Sequence, residues 1–247
     1  MTIIFEKSKG LTDRETHYCP GCTHGIIHKL VAESLVELKV LNNTIGCAAV
    51  GCSILCYNYF NIDMVECAHG RAPAVATGIK RVHPDKPVFT YQGDGDLASI
   101  GTNEIVHAAH RGEKITTVFV NNAIYGMTGG QMAPTTLPGQ KTTTAPGGRD
   151  PDHCGMPLKI SEMIAQIPGA VYVERVSVHS PAAVRKAKKA IMNGFSHQLA
   201  GRGFSLIEVL STCPTGWGLS PVKAVKWLKD NMIPYYPLGV YKTPEEV

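Results

Sequence analysis

Apolar positions recur along this chain at two alternating spacings. In GIIHKLVAESLVEL (25–38) they fall at Ile26, Ile27, Leu30, Val31, Leu35 and Leu38, a single helical stripe. NTIGCAAVGC (43–52) reads as a short strand running into a Gly/Cys loop, and APAVATGIKRVH (72–83) as a helix of small residues that packs closely. KPVFTYQ (86–92) is a buried strand, LASIGTNEIVHAAHRG (97–112) a helix closed by Gly112, and KITTVFVNN (114–122) the next strand. A helix near 159–166 and a strand at 170–176 follow. Next comes a helix with Ser180 as cap and Pro181 in its first turn, then a strand at 204–211 and a short helix near 222–230. No internal repeat interrupts the series. Such alternation predicts an α/β fold, a parallel sheet with helices on both faces, in a single domain over 1–247. Between Ala123 and Pro157 lies a stretch rich in Gly, Pro and Thr, too long for a plain connector and therefore expected to be a functional loop.

Composition narrows the field. A formal charge of +4 over 247 residues is too small to argue for nucleic acid, and the one basic run, RKAKKA (185–190), fits a solvated helix face. No apolar run reaches membrane-spanning length, and MTIIFEKSKG lacks the apolar centre of a signal peptide. The expected location is cytoplasmic, with no membrane partner. Its eight cysteines are then expected to be reduced or metal-bound rather than paired.

Chemistry gathers where two strands end. FTYQGDGDLASIG (89–101) closes one strand and Asn121-Asn122 the next, with a single crossover helix between them. A right-handed crossover places both loops on the carboxyl edge of the sheet, where such folds bind ligands. Asp94 and Asn122, 28 positions apart, then offer a carboxylate and a carboxamide to a hard cation such as Mg²⁺ or Ca²⁺. Gly93 and Gly95 allow close backbone approach and expose N–H groups to phosphate oxygens, and a helix starting near Leu97 points its positive end the same way. Either motif alone is an ordinary turn; their joint occurrence at this spacing reads as a site.

GDG followed by NN at this distance resembles the signature of thiamine-diphosphate enzymes. The resemblance implies Mg²⁺ held by the side chains of Asp94 and Asn122 and the carbonyl of Ile124, with Gly95 and Asp96 beside the diphosphate.

The cysteines extend it. YCPGCTHG (18–25) alone could be half a zinc knuckle, a redox pair or half an iron–sulfur site. Candidate partners are Cys47 and Cys52 in GCAAVGCS and Cys213 in STCPTGWG, each read as following a strand. Cys56, Cys67 and Cys154 read as core or loop thiols. Spacing does not separate zinc from a cluster. Taken with the diphosphate motif, the CPGC-x-H-G run, VGCS, HGRAPAVATGIK (69–80) and NNAIYGMTGGQMAPTT (121–136) resemble the β subunit of 2-oxoacid:ferredoxin oxidoreductases over nearly the whole chain.

That resemblance implies the diphosphate-type domain of the thiamine-diphosphate-binding fold. It implies a 4Fe–4S cluster on Cys19, Cys22, Cys52 and Cys213, the N-terminal CxxC segment contributing two ligands. Cys52 is preferred because Ser53 follows it; Cys47 is the runner-up. Ser53, His69, Gly70 and Arg71 would line the pocket, His69 and Arg71 as catalytic groups, with Gly126, Met127 and Thr128 also on the cofactor. Without the family, His69 would read as a satisfied loop histidine. The implied activity is coenzyme A-dependent oxidative decarboxylation of a 2-oxo acid, with electrons passing to ferredoxin. The implied partners are an α subunit carrying the pyrimidine-binding domain, a γ subunit and a ferredoxin-like δ subunit, without which the chain would be inactive. Family members that take 2-oxoglutarate often carry lysine at the position of Gly129. With Met127 and no cation here, a branched-chain acid such as 3-methyl-2-oxobutanoate fits better. The alternatives are 2-oxoglutarate as substrate, a non-catalytic electron-transfer or zinc-stabilised subunit, and a thiamine carboligase or non-oxidative decarboxylase.

Overall fold

A computed structural model describes residues 6–244; Met1–Phe5, half of the opening MTIIFEKSKG, and residues 245–247 lie outside the described residues. Seven strands form one sheet: β1 (Ile45–Ala48), β2 (Asp63–Glu66), β3 (Val88–Gly93), β4 (Thr116–Asn121), β5 (Ala170–Ser177), β6 (Phe204–Leu210) and β7 (Gly239–Lys242). Their order is β2-β1-β3-β4-β6-β5-β7, parallel throughout except for antiparallel β7 at one edge.

The central strands are apolar on both faces because both faces are covered. Phe89 and Tyr91 of β3, Val118 and Val120 of β4, and Ile207 and Val209 of β6 point one way. They meet α1 (His24–Glu37), through Ile27, Leu30, Val31 and Leu35, and a long helix at Pro181–Leu199, through Ala187, Ile191 and Phe195. Val88, Phe119 and Leu206 point the other way. There they meet α2 (Ala72–Val82), α3 (Thr102–His110) and a helix at Ile160–Ala165. After the short α4 (Pro151–Cys154), these two later helices are α5 (Ile160–Ala165) and α6 (Pro181–Leu199). Small residues bring α6 down onto the sheet: a Cβ at Gly194 would stand 2.4 Å from the Ile207 side chain. Ser180 caps α6 as the sequence predicts, its Oγ accepting the Ala183 amide at 3.2 Å.

Both edge strands escape the sequence reading. β2 is largely exposed and carries Asp63 and Glu66 at its ends, so it shows no apolar alternation. The run RKAKKA is solvated at Arg185, Lys186 and Lys189, but Lys188 reaches across to Glu33 and Glu37 of α1. One charged network is built around a buried ion pair, Arg175 and Glu208, with partly exposed Glu162 beside it. Arg175 of β5 donates to Glu208 of β6 at 2.8 Å and to Glu162 of α5, and Glu208 also accepts the side chain of Asn121 at 2.8 Å. An arginine held by two carboxylates is tolerated there because its donors are met on several sides.

Candidate active site

The carboxyl ends of β3 and β4 adjoin, and their loops meet. Asp94, 2% exposed, accepts the Gly95 amide at 2.9 Å and the Thr135 hydroxyl at 2.6 Å, and the amides of Ala123 and Ile124 also face its carboxylate. Burial pushes its pKa up to about 6, against those hydrogen bonds, which hold it down. Among the described residues no cation pairs with Asp94. A buried carboxylate without a counter-charge fits a site built for a metal ion.

On the facing loop, Asn122 Oδ1 accepts the Ile124 amide at 3.3 Å, and Ala123 between them holds φ +58. A non-glycine residue in the left-handed region is an uncommon, costly turn, and here it reverses the chain immediately after Asn122. Asn121, the other half of the NN pair, is spent on structure through Glu208.

Residues 123–157 form an ordered lobe. Arg149 sits at its centre, donating to the carbonyls of Ala133, Pro134, Thr136, Cys154 and Gly155. Thr136 Oγ1 donates to the Ala123 carbonyl at 2.7 Å, so the lobe is stitched to the cation loop and delivers Thr135 to Asp94.

A cavity of about 130 Å³ opens above this junction. It is lined by His24, Cys52, His69, Gly93 to Asp96, Asn122 and Ile124 to Thr128, among others. Asp96 does not offer a free carboxylate there: its oxygens accept His69 Nδ1, the Gly70 amide at 2.7 Å and Gln92 Nε2 at 2.7 Å. The GDGD turn thus separates two roles, Asp94 toward the cation loop and Asp96 holding the His69–Gly70 turn. Gly95 must be glycine, since a Cβ would fall 2.3 Å from the Tyr125 ring.

Three expected pocket residues, Ser53, Gly70 and Arg71, lie outside the cavity lining, Gly70 in the turn that its amide ties to Asp96. Ser53 is buried, its hydroxyl donating to the Ala49 carbonyl at 2.9 Å, outside the cavity lining. Arg71 is exposed, paired with Glu104 and donating to the Ile100 carbonyl, and also lies outside it. Both positions precede or open helical turns, and local backbone partners claim their side chains.

The cysteines sort into two groups. Cys47 lies inside β1 rather than after it; it is fully buried and kept protonated by a hydrogen bond with Cys67 and by burial, with Cys56 nearby. Cys19, Cys22, Cys52 and Cys213 interact with one another instead. Burial raises Cys22 to about 11 and Cys52 and Cys213 to about 12, and the neighbouring thiols of the set push the same way. The His24 amide faces Cys22 and the Gly216 amide faces Cys213, donors of the kind that stabilise thiolates. A Cβ on Gly126 would sit 3.2 Å from the Cys213 sulfur and 3.4 Å from that of Cys52. Among the described residues no three His, Cys, Asp or Glu side chains close on a single ion. Four neighbouring thiols, with backbone amides facing two of them, are a donor set whose chemistry suits a thiolate-held group.

Comparisons with known proteins decide the family. Residues 44–209 match the thiamine pyrophosphate enzyme, C-terminal TPP binding domain. A 2-oxoglutarate synthase subunit KorB of Methanocaldococcus jannaschii is 39% identical over 232 residues, 90% of this chain and 80% of that one. The chain belongs to the thiamine pyrophosphate-binding subunits of the 2-oxoacid oxidoreductase family. Another member, the ketoisovalerate oxidoreductase subunit VorA of Methanothermobacter marburgensis, is 48% identical over 97% of this chain, which spans about half of that relative's length. A solved member is 2-oxoglutarate:ferredoxin oxidoreductase from Magnetococcus marinus, determined with 2-oxoglutarate, coenzyme A and succinyl-CoA bound. It superposes with a TM-score of 0.80 at 25% identity, over 99% of this chain and 87% of that one. Asp94, Asn122 and Cys52 fall within the matched domain, whereas Cys19, Cys22 and Cys213 lie outside it, supplied by the N-terminal segment and the turn after β6. No helix among the described residues is long and apolar enough to cross a membrane.

Four residues of this family site escape the sequence reading of roles: His24, Thr135, Tyr125 and Trp217. Only His24 carries a local signal, standing two residues after the CxxC pair. Thr135 lies 41 positions from Asp94, on an irregular lobe that no periodicity announces.

Proposed function

We propose that this chain is the thiamine-diphosphate-binding subunit of a 2-oxoacid:ferredoxin oxidoreductase, decarboxylating a 2-oxo acid oxidatively with coenzyme A. The observation that carries this reading is the cavity itself: the Asp94 carboxylate facing the Asn122–Ile124 loop forms its floor, and Cys52 stands in its wall. In this reading Asp94, Asn122 and the Ile124 carbonyl hold Mg²⁺, which clamps the diphosphate. Gly95 lets the Tyr125 ring lie against its backbone at the edge of that site. Cys19, Cys22, Cys52 and Cys213 hold a 4Fe–4S cluster beside the same cavity. Bound thiamine diphosphate supplies a nucleophilic carbon for the keto group and a sink for the electrons freed with CO₂. A cluster held by those four cysteines would supply a one-electron acceptor. The chain's own residues anchor and orient: Asp96 fixes His69, and Thr135 fixes Asp94.

A 2-oxo acid with an apolar side chain is the preferred substrate. Among the described residues no lysine or arginine lines the cavity, while Met127, Ile124 and Val50 do. The ketoisovalerate relative at 48% identity supports the same choice. In this reading partner chains of the complex supply the pyrimidine-binding domain and the onward electron carriers to ferredoxin, in keeping with relatives that are named as subunits. The test is anaerobic co-purification with those partners, followed by coenzyme A-dependent viologen reduction with branched-chain acids, pyruvate and 2-oxoglutarate. Turnover fastest with 3-methyl-2-oxobutanoate supports the reading; absence of turnover with every 2-oxo acid refutes it.

A further inference from the structure

His24 opens α1 immediately after the CxxC segment and is 1% exposed, yet it lines the cavity. Its surroundings fix how it does so. The Tyr18 ring stacks on one face of the imidazole, centroids 4.8 Å apart and planes 8° from parallel. Nδ1 is 2.8 Å from the hydroxyl of Tyr91, itself fully buried. The Tyr91 hydroxyl has no other hydrogen-bond partner among the described residues. If it accepted from Nδ1, its own proton would be stranded in the core; donating to Nδ1 strands only a lone pair, the cheaper arrangement. Nδ1 is therefore the acceptor and Nε2 carries the ring proton. Nε2 has no protein partner among the described residues, and it lies on the ring edge opposite the Tyr91 contact.

We propose that His24 is a hydrogen-bond donor to the bound 2-oxo acid, its Nε2–H held toward the keto oxygen by Tyr91. This rests on the function proposed above. No proton is transferred in this role: the imidazole keeps its hydrogen, and the bond strengthens as the keto oxygen gains negative charge when its carbon is attacked. A donor fixed before the reaction begins stabilises that charge without reorganisation, and loss of one such donor typically costs about 10²–10³ in kcat.

The experiment uses the assembled complex and four forms of this chain: wild type, His24→Leu, His24→Gln and Tyr91→Phe. His24→Leu is expected to lower kcat about 100-fold with a smaller change in KM. His24→Gln, whose amide can donate from a similar place, is expected to recover at least tenfold of that loss. Tyr91→Phe, which frees the tautomer, is expected to fall several-fold. A readout independent of turnover is calorimetric binding of a phosphonate analogue of the 2-oxo acid, which offers the keto oxygen but cannot lose CO₂. It should weaken about tenfold in His24→Leu and recover in His24→Gln, while thiamine diphosphate affinity and iron content stay at wild-type values. A His24→Leu complex that turns over within twofold of wild type overturns the donor role and leaves the proposed function standing. Equal losses in the Leu and Gln variants, or a Leu variant that loses cofactor and iron beside a fully active Tyr91→Phe, overturn it also. A wild-type complex inactive with every 2-oxo acid overturns both.

Discussion

Trp217 and Asn122 are joined by one hydrogen bond, the indole Nε1 donating to the Asn122 carbonyl at 3.0 Å. Trp217 ends the helical turn that begins right after Cys213, and Asn122 begins the loop that faces Asp94. The indole therefore ties the thiol wall to the cation floor. Trp217→Phe would keep a ring against Trp227, now 4.4 Å away between centroids, and remove only the donor. A neutral hydrogen bond contributes roughly 1 kcal/mol, so thiamine diphosphate with Mg²⁺ should bind about fivefold more weakly. Calorimetry on the anaerobic complex measures this; an unchanged dissociation constant would show that the two walls are independent.

Asp94 carries a charge that the fold alone does not need. Replacing it with Asn keeps the shape and lets the Thr135 hydroxyl turn to accept. The cofactor-free chain should then unfold within about 1 kcal/mol of wild type in urea, because no ion pair is lost and a buried charge is removed. Thiamine diphosphate and Mg²⁺ binding should fall at least about 100-fold. A variant that is badly destabilised without cofactor would make Asp94 a structural residue instead.

The contrast between these residues explains what the sequence revealed. Asp94 and Asn122 end consecutive buried strands, so alternation plus the handedness of the crossover was enough to bring them together. CxxC, VGCS and Cys213-Pro214 each follow or precede a recognisable element, and their thiols lie near enough to influence one another. Ser53 and Arg71 lie outside the cavity lining because a motif gives position along the chain but not which backbone carbonyl claims the side chain. Thr135 and Trp217 were invisible because an irregular lobe and a one-turn helix have no period to read. Edge strands β2 and β7 were missed for a related reason: one exposed side and few residues leave no alternation.

His28 makes stability depend on pH. Its ring is buried among Tyr18, Tyr59, Phe60 and Tyr91, with His24 and His17 as the neighbouring titratable bases, and its Nε2 pairs with the Tyr18 hydroxyl at 3.0 Å. Burial first, and then those two histidines, hold its pKa well below 6.5. The unfolded chain therefore binds a proton near 6.5 that the folded chain refuses. Stability is complete above that pH and falls as the pH drops below it, by up to about 1.4 kcal/mol per pH unit for this one group. Urea midpoints of the cofactor-free chain at pH 7.5 and 5.5 should differ accordingly, and His28→Phe should reduce the difference. An unaltered slope in that variant would assign the acid sensitivity to other groups.

Gly126 stands where two sulfurs come close, and a methyl group there tests the cluster assignment without touching a cysteine. In Gly126→Ala the new carbon would lie 3.2 Å from Cys213 Sγ, a tight approach, and 3.4 Å from Cys52 Sγ, just in contact. The Cys213 thiol must then give way by a few tenths of an ångström, and ligands of one rigid cluster cannot move independently. Iron content and visible absorbance per chain should drop by at least about half, with faster bleaching in air. Gly78→Ala is the matched control, since a Cβ at that position in α2 meets nothing within 4 Å. It should leave iron unchanged and stabilise the helix by roughly 0.5–1 kcal/mol. If the Gly126 variant retained full iron while the chain stayed folded, Cys52 and Cys213 could not both be ligands of the same cluster.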